Sequence, residues 1–269
     1  MPRPSERVTF TGSLGTELAG RLDLPAGPPR AFALFAHCFT CSKDLVASGR
    51  IADELTAAGF AVLRFDFTGL GSSEGDFANT DFSSNLDDLR LAADWLRTNH
   101  AAPRLLVGHS LGGAAVVSVA ADIPDVQAVV TIGAPADVEH VAELFVDRID
   151  EIQREGTATV DVGGRPFTIR QEFLDDLRSH SVAERARMLD AALLVLHSPI
   201  DQVVGIENAA HVYEAARHPK SFVSLDGADH LLGDDVDASY AGRIIGTWAE
   251  RYVDDARPLS PPPAFTTRV

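Results

Sequence analysis

Apolar residues along the chain form two alternating patterns, short continuous runs and longer stripes at helical spacing. Continuous runs at residues 31–36 and 61–65 predict strands that are buried on both faces of a sheet. The stripe between them predicts a helix from a cap at Ser42 to about Ala58. Because strands that alternate with helices pair in parallel, we predict an α/β protein with a mostly parallel, doubly wound sheet. The same patterns predict strands at residues 105–107, 126–132, 192–196 and 222–225, and helices from Ser83 or Ser84 to about Arg97 and at residues 206–216 and 237–252.

Three stretches depart from this alternation. Residues 8–10 and 16–24 flank a glycine turn and predict an N-terminal hairpin. Residues 136–190 predict helices on either side of a two-stranded ribbon that turns at Gly163 and Gly164, which together form a small cap insertion. We expect one domain over residues 1–253, followed at residues 254–269 by an extended Pro-rich tail or linker.

Charge and composition exclude several classes of partner. The formal net charge is −16, which argues against nucleic acid or an anionic membrane, because both are bound through clustered Lys and Arg. No apolar run approaches the roughly 18 residues of a membrane span, and no signal peptide is recognisable. Cys38 and Cys41 cannot build a disulfide framework, which agrees with a reducing compartment. We therefore expect a soluble, cytoplasmic protein.

The first candidate for chemistry lies where the strand at residues 105–107 meets the sequence Gly-His-Ser-Leu-Gly at residues 108–112. A helix of small and apolar residues follows at once. Glycines two positions before and after Ser110 let a strand and a helix pack closely around a strained turn that exposes the serine. The pattern predicts a nucleophile elbow; read alone, it also fits a glycine-rich turn with an incidental serine.

Two further polar residues follow later strands of the predicted sheet. Asp201 comes after the strand at residues 192–196, and His230 comes after the strand at residues 222–225. A serine hydroxyl needs a base to take its proton, and an imidazole needs a carboxylate to hold its tautomer. Asp226 and Asp229 are nearer to His230 in sequence, but neighbours on one tight loop rarely point at each other, so we favour Asp201.

These motifs resemble the α/β-hydrolase family over about residues 31–252, in the elbow and in the order serine, acid, histidine. The resemblance implies the α/β-hydrolase fold and a catalytic Ser110, Asp201 and His230. It also implies an oxyanion hole formed by the backbone N–H groups of Leu111 and Phe39, although Cys38 stands where related hydrolases have glycine.

A closer resemblance rests on three stretches, at residues 37–44, 64–71 and 220–231. They read His-Cys-Phe-Thr-Cys-Ser-Lys-Asp, Arg-Phe-Asp-Phe-Thr-Gly-Leu-Gly and Lys-Ser-Phe-Val-Ser-Leu-Asp-Gly-Ala-Asp-His-Leu. These look like the hydrolase domain that bacteria fuse to an OsmC-type domain. The chain is then either a stand-alone relative or the first part of such a fusion.

Neither a cofactor nor a metal is expected. The glycine-dense loop at residues 66–73 lacks the spacing of a dinucleotide fingerprint and resembles a structural loop of α/β hydrolases. Cys38 and Cys41 form a Cys-x-x-Cys pair, which suggests redox chemistry when read alone, but two cysteines are an incomplete zinc set.

Together these observations predict a serine hydrolase that cleaves small-molecule carboxylic esters of short to medium acyl chains through an acyl-enzyme. The alternatives are a non-catalytic or regulatory ligand-binding protein on the same fold, a peptidase, and a thiol-linked role for the two cysteines. Residues near the predicted site are candidates for a substrate pocket, and the apolar ones fit a core equally well. They are His37, Cys38, Leu70, His109, Val141, Leu144 and Phe145.

Overall fold

The computed structural model describes residues 4–38, 41–162 and 165–253, without the side chains of His140 and Leu144. Eight strands form one sheet in the order β1-β2-β4-β3-β5-β6-β9-β10, and β7 and β8 form a separate hairpin. The strands are β1 (Ser5–Thr11), β2 (Glu17–Asp23), β3 (Ala31–Ala36), β4 (Phe60–Phe65), β5 (Pro103–His109), β6 (Ala128–Ile132), β7 (Thr157–Val162), β8 (Arg165–Arg170), β9 (Ala192–His197) and β10 (Lys220–Ser224). The helices are α1 (Val46–Ala57), α2 (Phe82–Asn99), α3 (Leu111–Val119), α4 (Ile149–Glu155), α5 (Gln171–Arg178), α6 (Val182–Arg187), α7 (Glu207–Ala215) and α8 (Asp235–Val253).

The continuous apolar runs form the parallel strands at the centre of the sheet. Strands β4, β6 and β9 are buried along their whole length, as strands covered by helices on both faces must be. All pairs from β4 to β10 are parallel, whereas β1 and β2 form an antiparallel hairpin at one edge. The predicted α/β-hydrolase fold with an N-terminal hairpin is confirmed.

Helices cover both faces of the sheet. On one face, α1 and α8 pack on apolar side chains such as Val62 and Leu194. These two helices approach closely because α8 carries glycines where they meet: a Cβ atom at Gly242 would lie 2.7 Å from the Cβ of Glu54. On the other face, α2 and α3 pack over a second apolar cluster, which continues into the segment between β6 and β9.

That segment is the predicted insertion. It contains a 3₁₀ stretch (Val138–Arg148) that is kinked at Phe145, then α4, the β7–β8 hairpin, α5 and α6. The turn at Gly163 and Gly164 lies outside the described residues, as does the predicted tail at residues 254–269. Ser83 at the start of α2 ties the insertion to the body, because its hydroxyl donates to Asp176 Oδ1 at 2.6 Å and contacts His180 Nε2 at 3.0 Å.

Two predicted helix caps are wrong. Helix α1 begins at Val46 rather than after Ser42, because the backbone of Lys43 between them is held by Arg64 in β4 and by Asp66 directly after that strand. Helix α2 is capped by Asp81, whose side chain accepts from the N–H of Ser84 at 2.6 Å, while the Ser84 hydroxyl accepts in return from the N–H of Asp81. Ser84 is therefore one half of a capping box, not the cap.

Within the described ranges, no helix is both long and apolar enough to cross a membrane. Those same residues contain no group of three or more His, Cys, Asp or Glu side chains that could hold a metal ion.

Candidate active site

The turn between β5 and α3 has the strained geometry that its sequence predicts. Ser110 adopts φ +55° and ψ −124°, a left-handed backbone that a residue with a Cβ rarely takes. Its N–H donates to the carbonyl of Ile132 at 2.8 Å, and its own carbonyl accepts from Gly113 at 2.8 Å. Such strain persists only where the surrounding structure enforces it, and it often marks a functional position.

Glycines around Ser110 allow the backbones to approach this closely. A Cβ atom at Gly108 would collide with the carbonyl of Gly112, and one at Gly112 would collide with the carbonyls of Ala36 and His37. The strand, the helix and the loop after β3 are thus packed backbone against backbone around the serine. No larger residue fits at Gly108 or Gly112 without moving one of these segments.

The structure brings Ser110, His230 and Asp201 into one hydrogen-bonded line. The hydroxyl of Ser110 lies 3.0 Å from Nε2 of His230, and Nδ1 of His230 lies 2.8 Å from Oδ2 of Asp201. A carboxylate only accepts, so Nδ1 carries the proton and Nε2 is free to accept from the serine. Asp226 and Asp229 are engaged elsewhere, at Ser224 and at the N–H of Gly233.

Asp201 is held as a carboxylate by its surroundings. Burial opposes its ionisation, but hydrogen bonds from His230 and from the N–H groups of Val204 and Val203 outweigh this, so the pKa of Asp201 lies below its ordinary value. The two backbone donors lie 2.9 and 2.8 Å from Oδ1, which leaves Oδ2 for His230. Gly133 makes room for this pair, since a Cβ atom there would lie 3.3 Å from Oδ2 of Asp201.

Of the two predicted oxyanion donors, only Leu111 lies within the residues that the structure describes. Leu111 is the first residue of α3, so its N–H has no partner within the helix, and it lies at the positive end of the helix dipole. Phe39 lies outside the described residues. Cys38 and Cys41 on either side of it are joined by a disulfide. This bridge does not fit the reducing compartment that the small number of cysteines led us to expect. The pairing is possible because their Cα atoms lie only 5.3 Å apart, within the usual range for a bridge.

A buried ion pair anchors the chain that follows Cys41. Asp66, at the end of β4, accepts from the N–H of Lys43 at 2.6 Å and from its ammonium at 2.7 Å, and from the N–H of Ser72 at 2.8 Å. Arg64 donates to the carbonyl of Lys43 from the same strand. The loop after Asp66 was expected to have a structural role, but no sequence pattern marks this anchor, because Lys43 and Asp66 are 23 residues apart.

The candidate pocket residues fall into three groups. His37, Cys38 and Leu70 line a small cavity of about 10 Å³ next to Leu111, and its other walls include Phe77 and Phe82. Val141 and Phe145 are 5% and 4% exposed and belong to the apolar core, because the helical face that carries them turns toward α5 and the body of the protein. The side chain of Leu144 is outside the described part. His109 is buried behind Ser110, with its ring next to that of His230.

Three histidines near the site are buried, and the sequence predicted two of them, His37 and His109, only as candidates for a substrate pocket. Burial lowers the pKa of His37. Burial, and then repulsion by a charged His230, lowers the pKa of His109 to about 4. His197, the last residue of β9, is fully buried and contacts the carbonyl of Val204 at 2.8 Å. No sequence signal separates these residues from histidines in ordinary loops.

The eight-stranded sheet, the strained serine turn and the strand-end histidine and aspartate define an α/β-hydrolase with a serine at its elbow. The chain belongs to the family described as serine aminopeptidase, S33, whose pattern matches residues 27–162.

Comparisons with individual proteins agree with this class. The crystal structure of an esterase domain from a Rhodothermus marinus protein is 51% identical, covers 93% of this chain and 99% of that chain, and has a TM-score of 0.77. The mitochondrial palmitoyl-protein thioesterase ABHD10 of Mus musculus is 28% identical over 211 residues, 76% of this chain and 70% of that protein. The monoacylglycerol lipase of Mycolicibacterium smegmatis is 24% identical over 225 residues, 74% and 80% of the two chains. The protein thus has a serine hydrolase fold with esterase, lipase and thioesterase relatives.

Proposed function

We propose that the protein is a serine esterase that works through an acyl-enzyme, with Ser110 as nucleophile, His230 as general base and Asp201 as the carboxylate that orients it. The observation that carries this proposal is the unbroken line from Ser110 Oγ to His230 Nε2 at 3.0 Å and from His230 Nδ1 to Asp201 Oδ2 at 2.8 Å. A base within hydrogen-bonding reach of the nucleophile, itself oriented by a third group, is the arrangement that acyl transfer needs.

In the proposed reaction, the Ser110 oxygen attacks the ester carbonyl while Nε2 of His230 takes the hydroxyl proton. Asp201 stabilises the imidazolium that forms. The negative charge on the former carbonyl oxygen is met by the N–H of Leu111 and, we expect, that of Phe39. His230 then passes its proton to the departing alcohol. A water molecule that His230 deprotonates then attacks the acyl-enzyme, the bond from the acyl carbon to Oγ of Ser110 breaks, and His230 returns its proton to that oxygen as the carboxylic acid leaves.

We assign the substrates to esters of short to medium acyl chains. The cavity beside Leu111 supports this, because it holds only about 10 Å³, close to the least space that one water molecule needs, and aromatic side chains close it against a long acyl chain. The relatives named a monoacylglycerol lipase and a palmitoyl-protein thioesterase supply the competing expectation of a long acyl chain.

A substrate panel tests this function. We expect the wild type to hydrolyse p-nitrophenyl acetate and butyrate faster than the palmitate ester, and Ser110→Ala to lose this activity. Asp201→Asn should lower kcat by about 10⁴, since its amide favours the wrong imidazole tautomer. An aminoacyl p-nitroanilide in the same panel tests the peptidase alternative. Preference for palmitate refutes the chain-length assignment, and turnover of the anilide alone refutes the esterase assignment.

Three narrower expectations stay predictions. They are the closer resemblance to hydrolase domains fused to OsmC-type domains, the cytoplasmic location, and a small-molecule ester as substrate with neither nucleic acid nor a membrane as partner.

A further inference from the structure

A buried histidine stands at the carboxyl end of three central strands, and each contacts a loop carbonyl. His37, directly after β3, contacts the carbonyl of Cys38 through Nδ1 at 2.8 Å. His109, the last residue of β5, contacts that of His230 through Nε2 at 2.7 Å. His197, the last residue of β9, contacts that of Val204 in the same way. The three loops contacted are those that carry the proposed oxyanion donor, the base and the acid.

The chemistry of these contacts fixes the state of the rings. A carbonyl oxygen only accepts, so the contacting nitrogen of His109 must carry a proton. Burial keeps the ring neutral, which agrees with the lowering of its pKa to about 4. A neutral His109 with its proton on Nε2 has an unprotonated Nδ1. It therefore acts as a fixed donor to His230 and adds no positive charge beside the base.

We propose that His109 is a positioning residue, which holds the backbone of His230 in register with the nucleophile. This rests on the proposed function of Ser110 and His230. His109 precedes Ser110 in the elbow, so the same strained turn that fixes the serine oxygen also fixes the donor to the His230 carbonyl. The same rigid turn therefore fixes the positions of both the nucleophile and the base.

The loop that carries His230 packs into the core through Ala228 and Leu232, but few hydrogen bonds tie its backbone to other segments. Its other backbone hydrogen bonds are short-range, such as Leu232 N–H to the Asp229 carbonyl at 3.2 Å and Gly233 N–H to the Asp229 side chain at 2.9 Å. Leu231 is 46% exposed, and Leu232 takes a left-handed backbone at φ +53°. Among the residues that the structure describes, His109 makes the one hydrogen bond from another segment to the backbone of residues 226–233.

Two substitutions separate positioning from simple packing. His109→Gln keeps an N–H donor at about the reach of Nε2, whereas His109→Leu keeps the apolar bulk and loses the donor. We expect His109→Leu to lower kcat by roughly 10²-fold, because a displacement of about 1 Å at the reacting atoms costs that much. Its KM for p-nitrophenyl butyrate should change less than about twofold, and His109→Gln should retain most of the wild-type kcat. His211→Leu, at an exposed position on α7, is the matched control and should resemble the wild type.

The outcomes separate this proposal from the function on which it rests. A His109→Leu variant that keeps the wild-type kcat overturns the positioning role, as does a Gln variant as impaired as the Leu variant at equal thermal stability. If His109→Leu fails to fold, His109→Asn replaces it, since its shorter amide cannot reach the His230 carbonyl and should show the same loss of kcat. Failure of the wild type to react with a fluorophosphonate at Ser110 instead refutes the esterase function itself.

Discussion

His109 should make the stability of the protein sensitive to mild acid. Its pKa falls from an ordinary value of 6.5 to about 4, because the ring is buried and lies beside His230. As the pH falls, the unfolded chain binds this proton first, whereas the folded protein resists it. The contribution of the neutral His109 ring to the free energy of unfolding is therefore complete above about pH 6.5 and is lost as the pH falls toward 4.

The size of this effect follows from the two pKa values. A tenfold change in protonation equilibrium is worth about 1.4 kcal/mol, so the full loss at about pH 4 amounts to roughly 3 kcal/mol. Between about pH 7 and pH 5, the proton equilibrium of His109 alone lowers the free energy of unfolding by roughly 2 kcal/mol. This is a large part of the roughly 5–15 kcal/mol by which domains are usually stable.

Urea denaturation of the wild type and His109→Gln at about pH 7 and pH 5 measures this share. Other buried groups, including His37, lose stability in acid in both proteins, so the comparison of the two proteins isolates His109. We expect the wild type to lose about 2 kcal/mol more than the variant between these pH values. His211→Gln, which changes an exposed histidine, should follow the wild type. Equal losses in the wild type and His109→Gln would refute the reasoning.

Two further substitutions test the packing around the site. Gly133→Ala places a Cβ atom 3.3 Å from Asp201 Oδ2 at a residue with φ +54°, so we expect a loss of about 1–2 kcal/mol in stability and a fall in kcat. Gly156→Ala is the control, because Gly156 has φ +78° but no atom lies near the added Cβ. It should be less stable in urea denaturation and keep the wild-type kcat. Equal kcat values for Gly133→Ala and Gly156→Ala contradict this expectation. Asp66→Asn removes the buried counter-charge of the Lys43 ammonium and leaves it only the exposed carboxylate of Asp44 at 3.2 Å, so it should lower the free energy of unfolding by about 3 kcal/mol; a loss below about 1 kcal/mol in urea contradicts the anchor.

The sequence predicted the centre of the fold well, because the physical signals there are local. A strand buried on both faces must be apolar throughout, so β4 and β9 were visible as continuous runs. The elbow was visible because close backbone packing around Ser110 admits only glycine at two fixed positions. Asp201 and His230 followed from the rule that polar residues after parallel strands meet at one edge.

What the sequence could not predict depends on contacts between distant residues. The ion pair of Lys43 and Asp66 displaced the start of α1, and no local pattern marks it. Helical periodicity placed Val141 and Phe145 on an apolar face but does not reveal whether that face meets a ligand or the core. The role of His109 depends on a carbonyl 121 residues further along the chain.

The proposed activity depends on Ser110 as a nucleophile that His230 activates. Incubation of the wild type, Ser110→Ala and His230→Ala with a fluorophosphonate, followed by peptide mass spectrometry, tests it most directly. We predict one adduct on Ser110 in the wild type, no adduct in Ser110→Ala and strongly slowed labelling in His230→Ala. Labelling that persists in Ser110→Ala, or that falls on another residue, would contradict it.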